Sequence, residues 1–129
     1  MPLSKTVLIV DDNADLLDVL AEVLLTVGFC AHKAQTGREA LRLYDSVDPA
    51  LVILDEGLAD MSGSELLRLL RGKNFHRGRP ALFVTGSRGT VQCLPGDIVL
   101  EKPVEMALLL GAVQRLTHQA KAGHQAKAG

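Results

Sequence analysis

Short apolar runs alternate along the chain with segments of helical periodicity. An apolar run of only a few residues predicts a buried strand, because both of its faces must be covered. Runs of this kind lie at 6–10, 51–54, 81–84 and 98–100. The weaker run at 29–34 predicts a fifth strand at an edge of the sheet.

Segments with apolar residues at helical spacing separate these strands, and they occupy 14–28, 36–47, 62–72 and 104–119. The second and third open on capping-box pairs, Thr36 with Glu39 and Ser62 with Glu65. Strands that alternate with helices predict right-handed βαβ units. We therefore expect a single α/β domain, doubly wound around a five-stranded parallel sheet.

Composition excludes several classes of protein. The chain has 129 residues, of which 47% are hydrophobic and 22% charged, and its net charge is −1. This charge gives no general attraction to nucleic acid or to an anionic membrane. We find no signal peptide and no apolar run near the roughly 20 residues that span a membrane. Cys30 and Cys93 lack metal-site spacing, and we expect both to be reduced and structural, as in a cytoplasmic protein.

The last twelve residues are the hexapeptide HQAKAG written twice. They contain no large apolar side chain that could be buried against the domain. We expect a domain at 1–118 and a flexible tail at 119–129. The origin of the duplication, natural or not, stays open.

The carboxyl ends of the predicted strands carry a set of polar residues, which are Asp11, Asp12, Asp55, Thr85 and Lys102. In an open parallel sheet, ligands bind in the crevice beyond these ends. Three carboxylates are a hard-oxygen site suited to Mg²⁺, and a lysine and a hydroxyl opposite them can bind an oxyanion. Together these groups predict phosphoryl transfer onto a carboxylate.

Four segments, VLIVDDN, LVILDEGLADMSG, LFVTGS and LEKPVE, resemble the signature segments of the receiver domain of two-component response regulators. The resemblance covers roughly residues 5–118. It implies the flavodoxin-like strand order 2-1-3-4-5 and Mg²⁺ as the cofactor. It also implies a phosphoacceptor signalling domain rather than an enzyme, one that assists its own phosphotransfer and dephosphorylation. The implied partner is a sensor histidine kinase or a histidine phosphotransfer protein.

The resemblance also assigns roles to individual residues. Asp55 matches the phosphoacceptor, Thr85 the switch hydroxyl, and Lys102 the lysine that pairs with the phosphoryl group. The peptide bond of the Lys102-Pro103 step is expected to be cis. The implied metal ligands are Asp11, Asp12, Asp55 and the backbone carbonyl of Gly57.

Three departures from the family concern the output side. Ala59 replaces the usual proline after the phosphoacceptor, which predicts a less rigid loop. Val99 occupies the position of the aromatic switch. The segment between Thr85 and Lys102 is short and carries three glycines and Pro95, so we expect the fourth helix to be shortened or irregular. We infer that output does not use the face built on that helix.

Simpler interpretations remain for some charged residues. We expect Glu56 to be solvated rather than part of the metal site. The stretch 66–96 has basic residues and no acidic ones. We favour a solvated surface over an acidic partner site there, and a nucleic-acid site is disfavoured because aromatics for stacking are nearly absent.

We expect the chain to accept a phosphoryl group on Asp55 from a phosphohistidine and to switch a surface that binds a downstream protein. Direct binding to nucleic acid or membrane is not expected. A phosphatase with an aspartyl nucleophile is disfavoured, because Gly57 stands where such enzymes carry a second aspartate. A degenerate receiver-like module that works without phosphorylation is the alternative that Val99 leaves open.

Overall fold

The computed structural model describes residues 5–73, 79–92 and 94–128, with the backbone alone for residue 88 and for 118–128. Within these residues, five strands and four α-helices alternate along the chain. Their bounds are β1 (Thr6–Val10), α1 (Ala14–Thr26), β2 (Cys30–Ala34), α2 (Gly37–Val47), β3 (Leu51–Leu54), α3 (Gly63–Lys73), β4 (Ala81–Thr85), β5 (Ile98–Glu101) and α4 (Met106–Ala128).

The strands form one parallel sheet in the order β2-β1-β3-β4-β5, which confirms the predicted doubly wound fold. Strand β1 lies between β2 and β3, and its residues alternate between two hydrophobic clusters. Val7 and Ile9 face the cluster that includes α1 and α4. Leu8 and Val10 face the cluster that includes α2 and α3. Both faces of the sheet are therefore covered, which explains why β1 is apolar throughout.

Both predicted capping residues are found at helix starts. The Thr36 hydroxyl accepts a hydrogen bond from the Glu39 N–H at 3.0 Å, and Ser62 accepts one from the Glu65 N–H at 3.0 Å. The second half of the box differs at α3, because the Glu65 carboxylate binds Arg68 instead of turning back to the helix start. Side-chain capping satisfies backbone donors that have no partner within the helix.

The connection from β4 to β5 confirms the prediction of a shortened fourth helix. In its described part, a 3₁₀ helix of three residues, Arg88–Thr90, is the one helical element. The Asp97 carboxylate shapes the end of the connection, since it accepts hydrogen bonds from the Leu94 N–H at 2.9 Å and the Ala81 N–H at 3.0 Å. Arg71 of α3 donates two more, at 2.8 and 3.0 Å.

Helix α4 continues to Ala128 and so includes the backbone of the duplicated hexapeptide. The flexibility assigned to 119–129 stays a prediction. Cys30 is a free cysteine, but it lies exposed on β2, so the expectation that it packs in the structure was wrong. Cys93 falls outside the described residues. Among the helices that the structure describes, none has the length and apolarity to cross a membrane.

Candidate metal and phosphoryl-transfer site

The sheet hydrogen bonds continue past the strand ends and bring the predicted residues to one edge. The Asp55 N–H donates to the Val10 carbonyl at 3.1 Å, which places Asp55 beside the start of the acidic pair. The Lys102 N–H donates to the Thr85 carbonyl, also at 3.1 Å. The common edge that the sequence predicted is therefore formed by the register of the strands.

The acidic residues gather at this edge. One carboxylate oxygen from each of Asp11, Asp12 and Asp55 lies within 4.8 Å of the other two. Asp11 and Asp55 are buried, at 3% and 7% exposure, whereas Asp12 is exposed. Two of the three carboxylates are thus held inside the protein, with the third at the opening of the crevice.

Lys102 joins the two buried carboxylates. Its Nζ lies 2.7 Å from Asp11 Oδ2 and 2.9 Å from Asp55 Oδ2, so it donates a hydrogen bond to each. The peptide bond that follows, to Pro103, is cis. An ammonium group between two carboxylates offsets the repulsion that the sequence placed there.

The remaining oxygens of the buried carboxylates are also hydrogen-bonded. Asp55 Oδ1 accepts from the Gly57 N–H at 3.1 Å, and the fully buried hydroxyl of Thr85 is near enough to the Asp55 carboxylate to lower its pKa. Asp11 Oδ1 accepts from the Asn13 N–H at 2.9 Å. The carbonyl of Gly57 as a metal ligand stays a prediction.

The two buried carboxylates differ in acidity. Burial alone would raise the pKa of Asp55, but hydrogen bonds from Thr85, Lys102 and Gly57 outweigh it and leave the pKa lowered. Burial dominates at Asp11 and raises its pKa despite the bond to Lys102. The lowered pKa of Asp55 favours its ionised form, which a carboxylate nucleophile needs.

The donor set fits a magnesium ion. Mg²⁺ prefers oxygen ligands, loses its water reluctantly and is usually held by one or two carboxylates together with phosphate oxygens. The cluster of Asp11, Asp12 and Asp55 offers such oxygens at the opening of the crevice. Bound there, the ion would supply positive charge to a phosphoryl group arriving at Asp55.

The expectation for Glu56 was wrong. Its side chain is not solvated, because the residue is 6% exposed and Oε1 accepts hydrogen bonds from both the N–H and the hydroxyl of Ser64, each at 2.8 Å. The Ser64 hydroxyl in turn accepts one from the Gln92 N–H at 2.8 Å. Sequence reasoning missed these contacts, and its one available signal was a second charged residue, next to Asp55, after a buried strand.

The loop after Asp55 is tied to α2, although it lacks the family's proline. The Asp60 carboxylate accepts hydrogen bonds from the Gly37 and Arg38 N–H groups, both at 2.9 Å. These bonds lower the pKa of Asp60. Sequence reasoning missed these hydrogen bonds as well, because the sequence does not indicate that an aspartate in a loop will contact the start of a helix distant in the chain.

In the part of the basic stretch whose side chains the structure describes, basic residues pair with acidic residues from other parts of the chain. Lys73 pairs with Asp45 at 3.0 Å, and Arg79 pairs with Asp48 at 2.8 Å. Other pairs are Arg68 with Glu65 and Arg71 with Asp97. This pairing supports the interpretation of an ordinary surface.

Three comparisons agree with this geometry. The family model described as the response regulator receiver domain matches residues 7–114. The chain is 31% identical over 121 residues to the transcriptional regulatory protein TrcR of Mycobacterium tuberculosis, covering 87% of this chain and 46% of that protein. It is 33% identical over 121 residues to CusR of Escherichia coli K12, covering 89% and 52%. The chain thus spans about half the length of the curated relatives it matches.

Solved structures of similar shape are receiver domains. A CheY-like receiver domain protein from Methanospirillum hungatei JF-1 matches with a TM-score of 0.79 and 25% identity, over 94% of this chain and 99% of that one. One from Methylobacillus flagellatus matches with a TM-score of 0.76 and 27% identity, over 86% and 97%. The site at the strand ends and the family match lead to one conclusion: the chain belongs to the response-regulator receiver domain family of two-component signalling.

Proposed function

We propose that the chain accepts a phosphoryl group on Asp55 from a phosphohistidine of a sensor histidine kinase or a histidine phosphotransfer protein. The observation that carries this proposal is the pair of hydrogen bonds from Lys102 to Asp11 and Asp55. It joins a buried, ionised carboxylate to a fixed cation at the edge of the sheet. A receiver domain is a signalling domain, and we propose that phosphorylation of Asp55 is the event that carries its signal.

The transfer itself is a displacement at phosphorus. A carboxylate oxygen of Asp55 attacks the phosphorus atom, and the bond from phosphorus to the histidine nitrogen breaks. The nitrogen keeps the electron pair of that bond and takes up a proton. Dephosphorylation by water would return the carboxylate and release inorganic phosphate.

The residues around Asp55 position and stabilise the reacting group. The amine of Lys102 lies 2.9 Å from Asp55 Oδ2 and can follow the charge that develops on the phosphoryl oxygens. The hydroxyl of Thr85 is near enough to the Asp55 carboxylate to lower its pKa, and it can donate to a phosphoryl oxygen on Asp55. Asp11, Asp12, Asp55 and the Gly57 carbonyl would hold Mg²⁺, which supplies positive charge opposite the lysine.

The signal would leave through a protein surface that differs from the usual one. Val99 lies in β5, opposite Phe83 in the register of the sheet. A valine has no aromatic ring that could change its orientation when the protein is phosphorylated. The connection before it has a 3₁₀ helix where a regular helix is usual. These two features support an output face that does not rely on that helix or on an aromatic switch.

We propose no direct contact with nucleic acid for the described residues. Relatives such as MtrA of Mycobacterium leprae carry the name DNA-binding response regulator, and this chain covers 50% of that protein. Two arginines of the basic stretch, Arg71 and Arg79, are engaged in ion pairs at 2.8 Å. The downstream target is therefore proposed to be a protein.

The test is phosphorylation of the purified chain with acetyl phosphate and Mg²⁺, read by intact mass. We expect the native protein to gain one phosphoryl group and Asp55→Asn to gain none. Asp15→Asn is the matched control, because Asp15 lies in the first turn of α1 and outside the carboxylate cluster. It should be phosphorylated as the native protein is.

Beryllofluoride gives an independent test, since it mimics the bound phosphoryl group and requires no transfer from a phosphoryl donor. A change in amide resonances at Gly57 and Thr85 that requires both Mg²⁺ and beryllofluoride supports the proposal. Absence of both phosphorylation and this change would favour the receiver-like module that works without phosphate. Continued turnover of an added phosphoester would favour the phosphatase.

A further inference from the structure

The connection from β4 to β5 is hydrogen-bonded at two points to side chains that lie near Asp55. At its start, the Ser87 N–H donates to the Thr85 hydroxyl at 3.0 Å, and Thr85 is the residue whose hydroxyl contributes to the lowered pKa of Asp55. At Gln92, the backbone N–H donates to the Ser64 hydroxyl at 2.8 Å. The 3₁₀ helix lies between these two points.

The second tie reaches the residue next to the phosphoacceptor. The Ser64 hydroxyl has one hydrogen to donate, and it gives that hydrogen to Glu56 Oε1 at 2.8 Å while accepting from Gln92. The Ser64 N–H donates to the same oxygen at 2.8 Å. A hydrogen bond to a carboxylate is stronger than a neutral one, and it polarises the bond that follows it in a chain.

The Glu56 carboxylate binds Ser64 and is not among the acidic groups placed to share a metal ion. The acidic group able to share a cation among the described residues consists of Asp11, Asp12 and Asp55. Glu56 is 6% exposed, and burial of an ionised carboxylate is costly unless donors surround it. The position of a buried charge beside the phosphoacceptor is therefore explained by its hydrogen bonds to Ser64.

The start of α3 lies directly against the backbone of residues 55 and 56. A Cβ atom built on Gly63 would meet the Asp55 carbonyl oxygen at 2.2 Å, so the helix start lies directly against that carbonyl. The Gly63 N–H donates to the Glu56 carbonyl at 2.9 Å. A displacement of the backbone at Asp55 would thus reach Ser64 through backbone contact as well as through the Glu56 side chain.

We propose that Glu56 is a positioning residue that holds residues 87–92 of the β4–β5 connection, through a strut of hydrogen bonds from Glu56 to Ser64 to the Gln92 N–H. This inference rests on the proposed phosphorylation of Asp55. Phosphorylation alters the tie at Thr85, and the strut keeps the other end of residues 87–92 in place. The segment then responds as one unit, although it contains no regular helix.

The test follows amide resonances of ¹⁵N-labelled protein with Mg²⁺, before and after beryllofluoride. In the native chain, Gln92 should be protected from hydrogen exchange and should shift when beryllofluoride binds. In Ser64→Ala we expect the Gln92 amide to exchange about tenfold faster, because its acceptor is gone. The beryllofluoride shift should remain at Gly57 and be lost at Gln92.

A matched control removes a hydroxyl from the same helix end. Ser62→Ala deletes the acceptor of the Glu65 N–H and weakens the start of α3 without touching Gln92. It should leave Gln92 exchange and its shift as in the native chain. Glu56→Gln, which keeps an acceptor oxygen, should behave like the native protein, and Glu56→Met should behave like Ser64→Ala.

Two results would overturn the strut. One is a Gln92 amide that exchanges equally fast in Ser64→Ala and in the native chain. The other is a native protein that shows the beryllofluoride shift at Gly57 and none at Gln92. A native protein that shows no shift at Gly57 contradicts the proposed phosphorylation itself, so the two failures are distinguishable.

Discussion

Lys102→Met removes the cation that joins the two buried carboxylates, and its effect on stability can be worked from the contacts. The variant loses two charge-assisted hydrogen bonds, of 2.7 and 2.9 Å, and leaves Asp11 and Asp55 at 3% and 7% exposure without that partner. Each such bond contributes about 1.5–3 kcal/mol. Since the lysine side chain is 28% exposed and both carboxylates keep backbone donors, we expect a loss of about 2–3 kcal/mol without metal.

Magnesium should reduce this loss. A ligand that binds only the folded state stabilises it by RT ln(1 + [L]/Kd). In Lys102→Met the three carboxylates no longer share their charge with an ammonium group, so Mg²⁺ should bind more tightly than in the native protein. Every tenfold decrease in Kd adds about 1.4 kcal/mol at saturating metal. The gap between native and variant stability should therefore narrow as Mg²⁺ is added.

The same contact predicts a dependence on alkaline pH. Burial alone would lower the pKa of Lys102, but hydrogen bonds to Asp11 and Asp55 outweigh it and raise the pKa above its ordinary value of 10.5. The stability that Lys102 contributes through these bonds is fully present below pH 10.5. It is lost as the pH rises through the higher pKa that Lys102 has in the folded protein. Tyr44, whose pKa is raised by burial, also destabilises the alkaline protein, but it does so in both chains. On the alkaline side, the difference in unfolding free energy between the native protein and Lys102→Met should thus shrink only above pH 10.5.

Urea unfolding followed by circular dichroism measures the loss of stability in EDTA and its reduction in Mg²⁺. The same assay repeated at alkaline pH measures the pH dependence. Lys33→Met is the control, because Lys33 makes a contact of the same length, 2.8 Å to Asp18, with both side chains largely exposed. Exposed pairs contribute about 0–1 kcal/mol, and Mg²⁺ should not change that difference. The reasoning is refuted if Lys102→Met is as stable as Lys33→Met in EDTA, or if Mg²⁺ widens the gap.

Two further substitutions test the packing around the site by the same urea assay. Gly63→Ala should cost about 1–3 kcal/mol, because its Cβ would lie 2.2 Å from the Asp55 carbonyl oxygen and force α3 to shift. Gly72→Ala in the same helix has nothing within 4 Å and should stabilise by up to about 1 kcal/mol, so equal effects at the two glycines would contradict the close contact. Arg71→Met leaves the Asp97 carboxylate, 1% exposed, with backbone donors and should cost about 3 kcal/mol. A loss below about 1 kcal/mol, as for an exposed pair, would refute that estimate.

The fold and the central residues could be predicted from sequence because both depend on local patterns. A buried parallel strand must be apolar on both faces, and the first polar residue after it must lie at the carboxyl edge. Asp55 and Lys102 are such residues, and parallel register then brings them within 2.9 Å of each other. Neither step requires the packing of the helices to be known.

Glu56 could not be predicted in the same way. It is the second polar residue after a buried strand, so the pattern that located the first, Asp55, does not say where the side chain of its neighbour lies. Its burial depends on Ser64, eight positions later, which turns back over it because Gly63 allows α3 to begin against the Asp55 carbonyl. That approach is set by tertiary packing, which a strand pattern does not contain.

The connection from β4 to β5 shows how tertiary contacts determine a segment with little helical propensity. Side chains hold its backbone at separate points: Thr85 accepts from Ser87, Ser64 accepts from Gln92, and Asp97 accepts from Leu94. The sequence predicted the shortened helix from glycines and a proline, but propensity describes only what the segment cannot form. What it does form depends on acceptors such as Ser64, 28 positions away from Gln92. Because Ser64 lies outside the set that performs the proposed transfer, its substitution can alter the β4–β5 connection while phosphorylation continues.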